Sequence, residues 1–155
     1  CLAVCRMSFN VSTVVSTDPP ESKRDIDQPW YRLMQGLGDG TCPSEQGIAE
    51  ATRCLESRGD GCWGLPLALG YWTQKNYQQC CDVLEREDVE RACCNSVLYF
   101  NLLGMSVRHL VSGESRAKAA YEKALILDPH RADTLYNLAN LLKKNGASNQ
   151  LQVLL

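Results

Sequence analysis

Two apolar helical stripes separated by an Asp-Pro step constrain this chain more than any other feature. Apolar residues recur at three- and four-residue steps along segment 117–127, and they are Ala117, Ala120, Tyr121, Ala124, Leu125 and Leu127. Pro129 cannot donate the hydrogen bond that helix continuation needs, and it disfavours helical backbone at Asp128. A second stripe follows, formed by Leu135, Leu138, Ala139 and Leu142, and Gly146 closes it. The segment therefore predicts two helices joined by a tight turn.

This segment resembles the tetratricopeptide repeat, a helix pair of about 34 residues that stacks into a solenoid. The second helix of one unit, helix B, and its exit turn are matched by Ala117, Tyr121, Ala124 and Pro129. The first helix of the next unit, helix A, is matched by Leu135, Leu138, Ala139 and Leu142. The short side chains at Ala117, Ala124 and Ala139 suit the close approach of two helices.

Weaker matches extend the same register toward the N-terminus. In residues 61–94 the helix-A positions hold Leu67, Ala68 and Tyr71, and the helix-B positions hold Cys80 and Leu84. In residues 95–130 the helix-A positions hold Phe100, Leu103 and Gly104. The resemblance implies an all-α fold in which antiparallel helix pairs stack as a tetratricopeptide-like α-solenoid. Its parts are a disordered leader (1–27), a degenerate helix pair (28–60), a repeat-like pair (61–94), a repeat (95–130) and a partial repeat (131–155).

Local signals predict several helix boundaries. We expect a helix from Gln28 to Leu37, because Gly36 and the glycines after it break the pattern. Ser44 is the expected N-cap of the next helix. Asp88 is the expected cap of whatever follows the helix that carries Cys80, and the next helix A is expected over residues 95–111.

Composition excludes several functional classes. The chain has 155 residues, of which 45% are hydrophobic, and a formal net charge of -2. The chain has no long run of Lys and Arg, so the sequence does not suggest nucleic-acid binding. No apolar stretch approaches the length of a membrane span. We therefore expect a cytoplasmic protein, with lipid anchoring through Cys1 as a minor alternative. Because the chain begins at Cys1 and stops within a repeat, we expect a fragment of a larger bacterial protein.

Nine cysteines leave three interpretations open. A zinc site, a disulfide framework and buried small apolar side chains are all compatible with the composition, and the last is favoured because Cys-x-x-Cys spacing is absent. No phosphate loop, nucleophile elbow or His-Glu-x-x-His motif occurs. We expect no metal, no cofactor and no catalysis by this segment.

The resemblance implies a protein–protein interaction module, because helix A of each repeat lines a concave groove that holds extended peptides. The expected peptide-binding residues are Asn101, Arg108, Tyr136, Asn137, Asn140, Lys143 and Lys144. Asparagine amides can bond a peptide backbone, and Lys or Arg can bind a carboxylate, which suits an acidic peptide or its C-terminus. Leu65, Pro66, Leu69 and Trp72 form an apolar set that suits either a groove or packing against the preceding helices.

A second reading places catalysis outside this segment. The chain would then be the N-terminal scaffold of a larger enzyme, similar to the protein O-linked N-acetylglucosamine transferases. Asn137 is the residue that carries this similarity, since their repeats hold an asparagine at its position.

Overall fold

A computed structural model describes residues 28–144, in which every regular element is helical. Predictions that concern the leader, Cys1, Gly146 and the end of the partial repeat lie outside these residues. The eight α-helices of the described chain are α1 (Pro29–Asp39), α2 (Ser44–Arg58), α3 (Gly64–Thr73), α4 (Tyr77–Leu84), α5 (Glu87–Cys93), α6 (Val97–Val107), α7 (Glu114–Leu127) and α8 (Ala132–Lys144). A 3-10 turn, Gly61–Trp63, precedes α3. None of the described helices is both long and apolar enough to cross a membrane.

The chain divides after Ala92 into two compact units. The first unit is built around α3, which contacts α1, α2 and α4. Every residue of α3 from Gly64 to Gly70 is buried, Leu65, Pro66 and Leu69 among them. These three side chains therefore pack inside the unit. Of the two interpretations of the apolar set, packing against neighbouring helices applies to them, and a binding groove does not.

The second unit contains a helical hairpin, α6 with α7, against which α8 packs. The two hairpin helices approach closely at Gly104, where an added methyl group would lie 2.6 Å from Cε1 of the Tyr121 ring. Tyr121, Ala117 and Ala124 have no exposed surface. The apolar stripe of α7 is therefore the buried side of this helix.

The first two helix boundaries differ from the prediction. Helix α1 passes through Gly36 and ends at Asp39, since internal glycines weaken a helix without necessarily ending it. Ser44 is not an N-cap: Pro43 holds that position, no side chain caps the end, and Ser44 is the first helical residue.

The helix-B positions Cys80 and Leu84 lie on α4, and a second short helix, α5, follows it within residues 61–94. The break falls at Glu85 and Arg86, and α5 opens with the acidic residues Glu87, Asp88 and Glu90 in its first turn. Carboxylates are favourable there because the helix dipole is positive at its N-terminus. Asp88 lies inside this turn and accepts from Arg86, at 2.9 Å from Nη2, so it is not the expected cap.

Helix α6 is shorter at both ends than the predicted 95–111. Ser96 is its N-cap, since its hydroxyl accepts from the Tyr99 N–H at 3.3 Å. At the other end the chain turns back on itself, so that an added methyl at Gly113 would lie 1.9 Å from the Val107 carbonyl oxygen. Only glycine fits this approach, and it brings the start of α7 next to the end of α6.

Candidate functional site

Five of the seven predicted peptide-binding residues lie on α8, and three of them lie opposite its buried side. Thr134, Leu138, Leu141 and Leu142 form the buried side. Tyr136, Asn140 and Lys143 follow each other at four- and three-residue steps and are exposed, with Tyr136 at 48%. This spacing puts the three side chains on one helix face, which we call the α8 face.

The three side chains of the α8 face are not used by the fold. In the described part of the chain, Tyr136, Asn140 and Lys143 take part in no hydrogen bond or ion pair that ties them to another helix. A large aromatic ring, an amide and an ammonium group are therefore accessible together. They offer stacking, a donor and acceptor pair, and a positive charge.

Asn101 was expected to be exposed in the groove, and this expectation is wrong. The residue is buried, with 2% exposure. Its amide nitrogen donates to Asp133 Oδ2 at 3.2 Å, and its amide oxygen accepts from Asn137 Nδ2 at 3.3 Å. A buried amide needs such partners, because leaving it unbonded costs about 1–3 kcal/mol. Asn101 and the half-buried Asn137 thus bind each other.

Arg131 completes this polar network. The residue is 5% exposed, and its side-chain Nε donates to Asp133 Oδ1 at 2.8 Å. The same carboxylate oxygen accepts from the Thr134 N–H at 2.9 Å. Pairing with Asp133 offsets the cost of burying the guanidinium charge. The network links α6 to the start of α8.

Arg131 and Asp133 belong to this polar network but are not among the residues predicted from the sequence. The signal that was available is the spacing of charges around the Asp-Pro turn. An Arg two residues before an Asp in the first turn of a helix is close enough to form an ion pair with it, and the helix dipole favours the carboxylate there. The burial of that pair depends on α6, which no local pattern reveals.

Arg108 and Lys144 lie far from the network, at the other end of α6 and α8. Both residues line an open cleft with a volume of ≈ 540 Å³, which we call the turn cleft. Its other lining residues are His109, Leu110, Val111, Ser112, Glu114 and Ser115. Lys144 Nζ lies 3.2 Å from Glu114 Oε1, and both side chains are substantially exposed. Val111 at the turn is 98% exposed.

The turn cleft is electropositive around His109. Partial burial lowers the pKa of His109 below its ordinary value of 6.5, and the positive charges of Arg108 and Lys144 lower it further. His109 lines the cleft but is not among the predicted peptide-binding residues. Its closeness to Lys144 depends on how α8 packs.

The described residues show no sign of a metal centre. Within 28–144, no group of three or more His, Cys, Asp and Glu side chains is placed to hold an ion. Cys54, Cys80, Cys81 and Cys93 are buried, as expected for small apolar residues, whereas Cys94 is exposed.

Comparison of the chain with models of known protein families gives no match, and comparison with curated proteins gives none either.

Proposed function

We propose that the chain is a tetratricopeptide-like interaction module that binds an extended segment of a partner protein on the α8 face. The observation that carries this proposal is the exposed row of Tyr136, Asn140 and Lys143 on one helix face. Fold-stabilising polar residues are bonded to each other, as Asn101 and Asn137 are. Side chains of the α8 face are not, so their chemistry is available to a partner.

The arrangement of helices in the second unit supports the repeat part of the proposal. Helices α6 and α8 both contact α7. They are bonded through Asn101 and Asn137 near their middles, and Arg108 and Lys144 line one cleft at their C-terminal ends. Helices α6 and α8 therefore run in the same direction, as successive A helices do in a solenoid of helix pairs.

The chemistry of the α8 face favours an acidic, extended partner segment. A peptide backbone exposes unpaired N–H and C=O groups, and the Asn140 amide can bond both kinds. Lys143 provides a positive charge that attracts Asp or Glu side chains or a terminal carboxylate. Tyr136 supplies a rigid aromatic surface, the type of anchor that dominates many interfaces.

Binding of fluorescent peptides that differ in Asp and Glu content tests the proposal. We expect Tyr136→Ala to raise the Kd of the best acidic peptide about tenfold. Lys143→Gln should raise it about fivefold and reduce its salt dependence, since a screened charge pair is removed. Lys118→Gln is the matched control, because Lys118 is on α7 and lies 3.7 Å from Glu122.

The proposal fails if no acidic peptide binds more tightly than a neutral one of the same length. It also fails if Lys118→Gln weakens binding as much as Lys143→Gln does. Equal effects would mean that the peptide responds to the overall charge of the protein and not to a lysine on the α8 face.

A further inference from the structure

The turn cleft brings several hydrogen-bond donors together at one place on the surface. Arg108, His109 and Lys144 line it together with the hydroxyl groups of Ser112 and Ser115. Glu114 is the carboxylate among these lining residues. Charge in the cleft is therefore unbalanced toward the positive, and an anion would be attracted there.

The ion pair between Lys144 and Glu114 is a weak barrier to such an anion. Its side chains are 71% and 42% exposed, and exposed pairs of this kind contribute little to stability. A ligand that carries more negative charge than a single carboxylate can displace Glu114 from Lys144. The cleft therefore favours a doubly charged group over a singly charged one.

We propose that the turn cleft binds a phosphoryl group carried by a phosphorylated side chain of a partner protein. A phosphoryl group has three acceptor oxygens and close to two negative charges near neutral pH, which matches a guanidinium, an ammonium, an imidazole and two hydroxyls better than a carboxylate does. A volume of ≈ 540 Å³ holds the group together with the residue that bears it.

That the phosphoryl group is carried by a partner protein rests on the proposed function. Binding of phosphate in the turn cleft does not depend on the proposed function. The α8 face and the turn cleft share the end of α8 but use different lysines, Lys143 and Lys144. Loss of one site can therefore be separated from loss of the other.

Titration with inorganic phosphate, followed by the NMR signal of the His109 ring, tests the site directly. The bound anion should raise the pKa of His109, since it offsets the positive charges that lower it. His130, the other histidine of the chain, lies in the turn before α8 and is the internal control, so its signals should not move.

Three variants sharpen the test. Lys144→Gln should weaken phosphate binding about fivefold. Lys123→Gln is the control and should leave it unchanged, because Lys123 is on α7, its Nζ lies 5.5 Å from the centre of the Phe100 ring, and it does not line the cleft. Glu114→Gln should strengthen binding about threefold, because it removes the competing carboxylate. A gain of affinity cannot come from a variant that merely unfolds.

A phosphoserine peptide and its unphosphorylated form then identify the source of the group. Tighter binding of the phosphorylated form, lost in Lys144→Gln and kept in Lys123→Gln, supports the proposal. An unmoved His109 signal in phosphate overturns the site. Binding to vesicles that contain phosphorylated inositol lipids, with no preference for the phosphopeptide, overturns the partner class.

Discussion

Tyr121 is the residue at which packing and polarity conflict most clearly. Its ring fills the space that Gly104 leaves open, yet its hydroxyl is buried and makes no regular hydrogen bond to any described residue. Burial raises the pKa of this hydroxyl to about 12, against a smaller opposing effect of Arg108. The ring stabilises the hairpin, whereas the hydroxyl carries a desolvation cost.

Tyr121→Phe should therefore leave the free energy of unfolding unchanged or raise it by up to about 1 kcal/mol. The native hydroxyl also makes the fold sensitive to alkali. A pKa that is raised by folding means that stability is intact below pH 10 and is lost as the pH rises toward 12. Urea unfolding at pH 7 and pH 10.5 measures both effects. A loss of more than about 1 kcal/mol at pH 7 would show that the hydroxyl is bonded after all.

His109 should make the protein sensitive to acid. Its pKa is lowered in the folded state, so the unfolded chain takes up the proton first as the pH falls below about 6.5. Stability that is present at pH 7.5 is then partly lost by pH 5.5. The variant His109→Gln should show a smaller fall in Tm between these two values. An equal fall in both proteins would assign the acid sensitivity to other groups.

Helix α7 is the element whose sequence pattern determines its packing most directly. The buried residues Ala117, Ala120, Tyr121 and Ala124 are four of the six residues of the apolar stripe, so periodicity predicts the centre of the side that faces its neighbours. The last residue of the stripe, Leu127, is 41% exposed. The predicted ends of α6 were less accurate. Ser96, the N-cap of α6, is a residue type that commonly caps helices. The C-terminal end of α6 depends instead on the contact between Gly113 and Val107, which lie six residues apart.

A matched pair of substitutions on α7 tests this assignment. Ala124→Glu places a charge where there is no exposed surface, and we expect a loss of more than about 3 kcal/mol of stability. Ala119→Glu puts the same side chain at an exposed position of the same helix and should change stability by less than about 0.5 kcal/mol. Thermal unfolding followed by circular dichroism compares them. Similar losses in both variants would mean that the buried side of α7 is wrongly assigned.

At the scale of the whole molecule, sequence reasoning predicts the helical class and the positions of most helices. It does so because the helices in residues 28–144 are amphipathic or strongly apolar, and turns with Gly, Pro or Asp separate many of them. It expects a new element to begin near Asp88, but it does not place the break between α4 and α5 at Glu85 and Arg86, where neither Gly nor Pro occurs. A run of four charged residues from Glu85 to Asp88 can continue a helix or start one, and local propensity does not decide between them.

The candidate site was predicted in part for the same reason. Exposure of Tyr136, Asn140 and Lys143 follows from the period of α8. The burial of Asn101 and the grouping of Arg108 with Lys144 depend on contacts between residues more than thirty positions apart. Such contacts are set by helix packing, and a single sequence carries no direct signal for them.

The network of Asn101, Asp133 and Asn137 limits how this chain can be rearranged by recombination or engineering. Helical units that meet through apolar surfaces alone can be exchanged with little regard to order, because one leucine face accepts another. Helix α6 instead requires a successor with an acid and an amide four residues apart. A unit grafted in place of α8 without them would leave the Asn101 amide buried and unbonded, at about 1–3 kcal/mol. Helices α6 and α8 therefore depend on each other through these polar side chains, which fix their order along the chain.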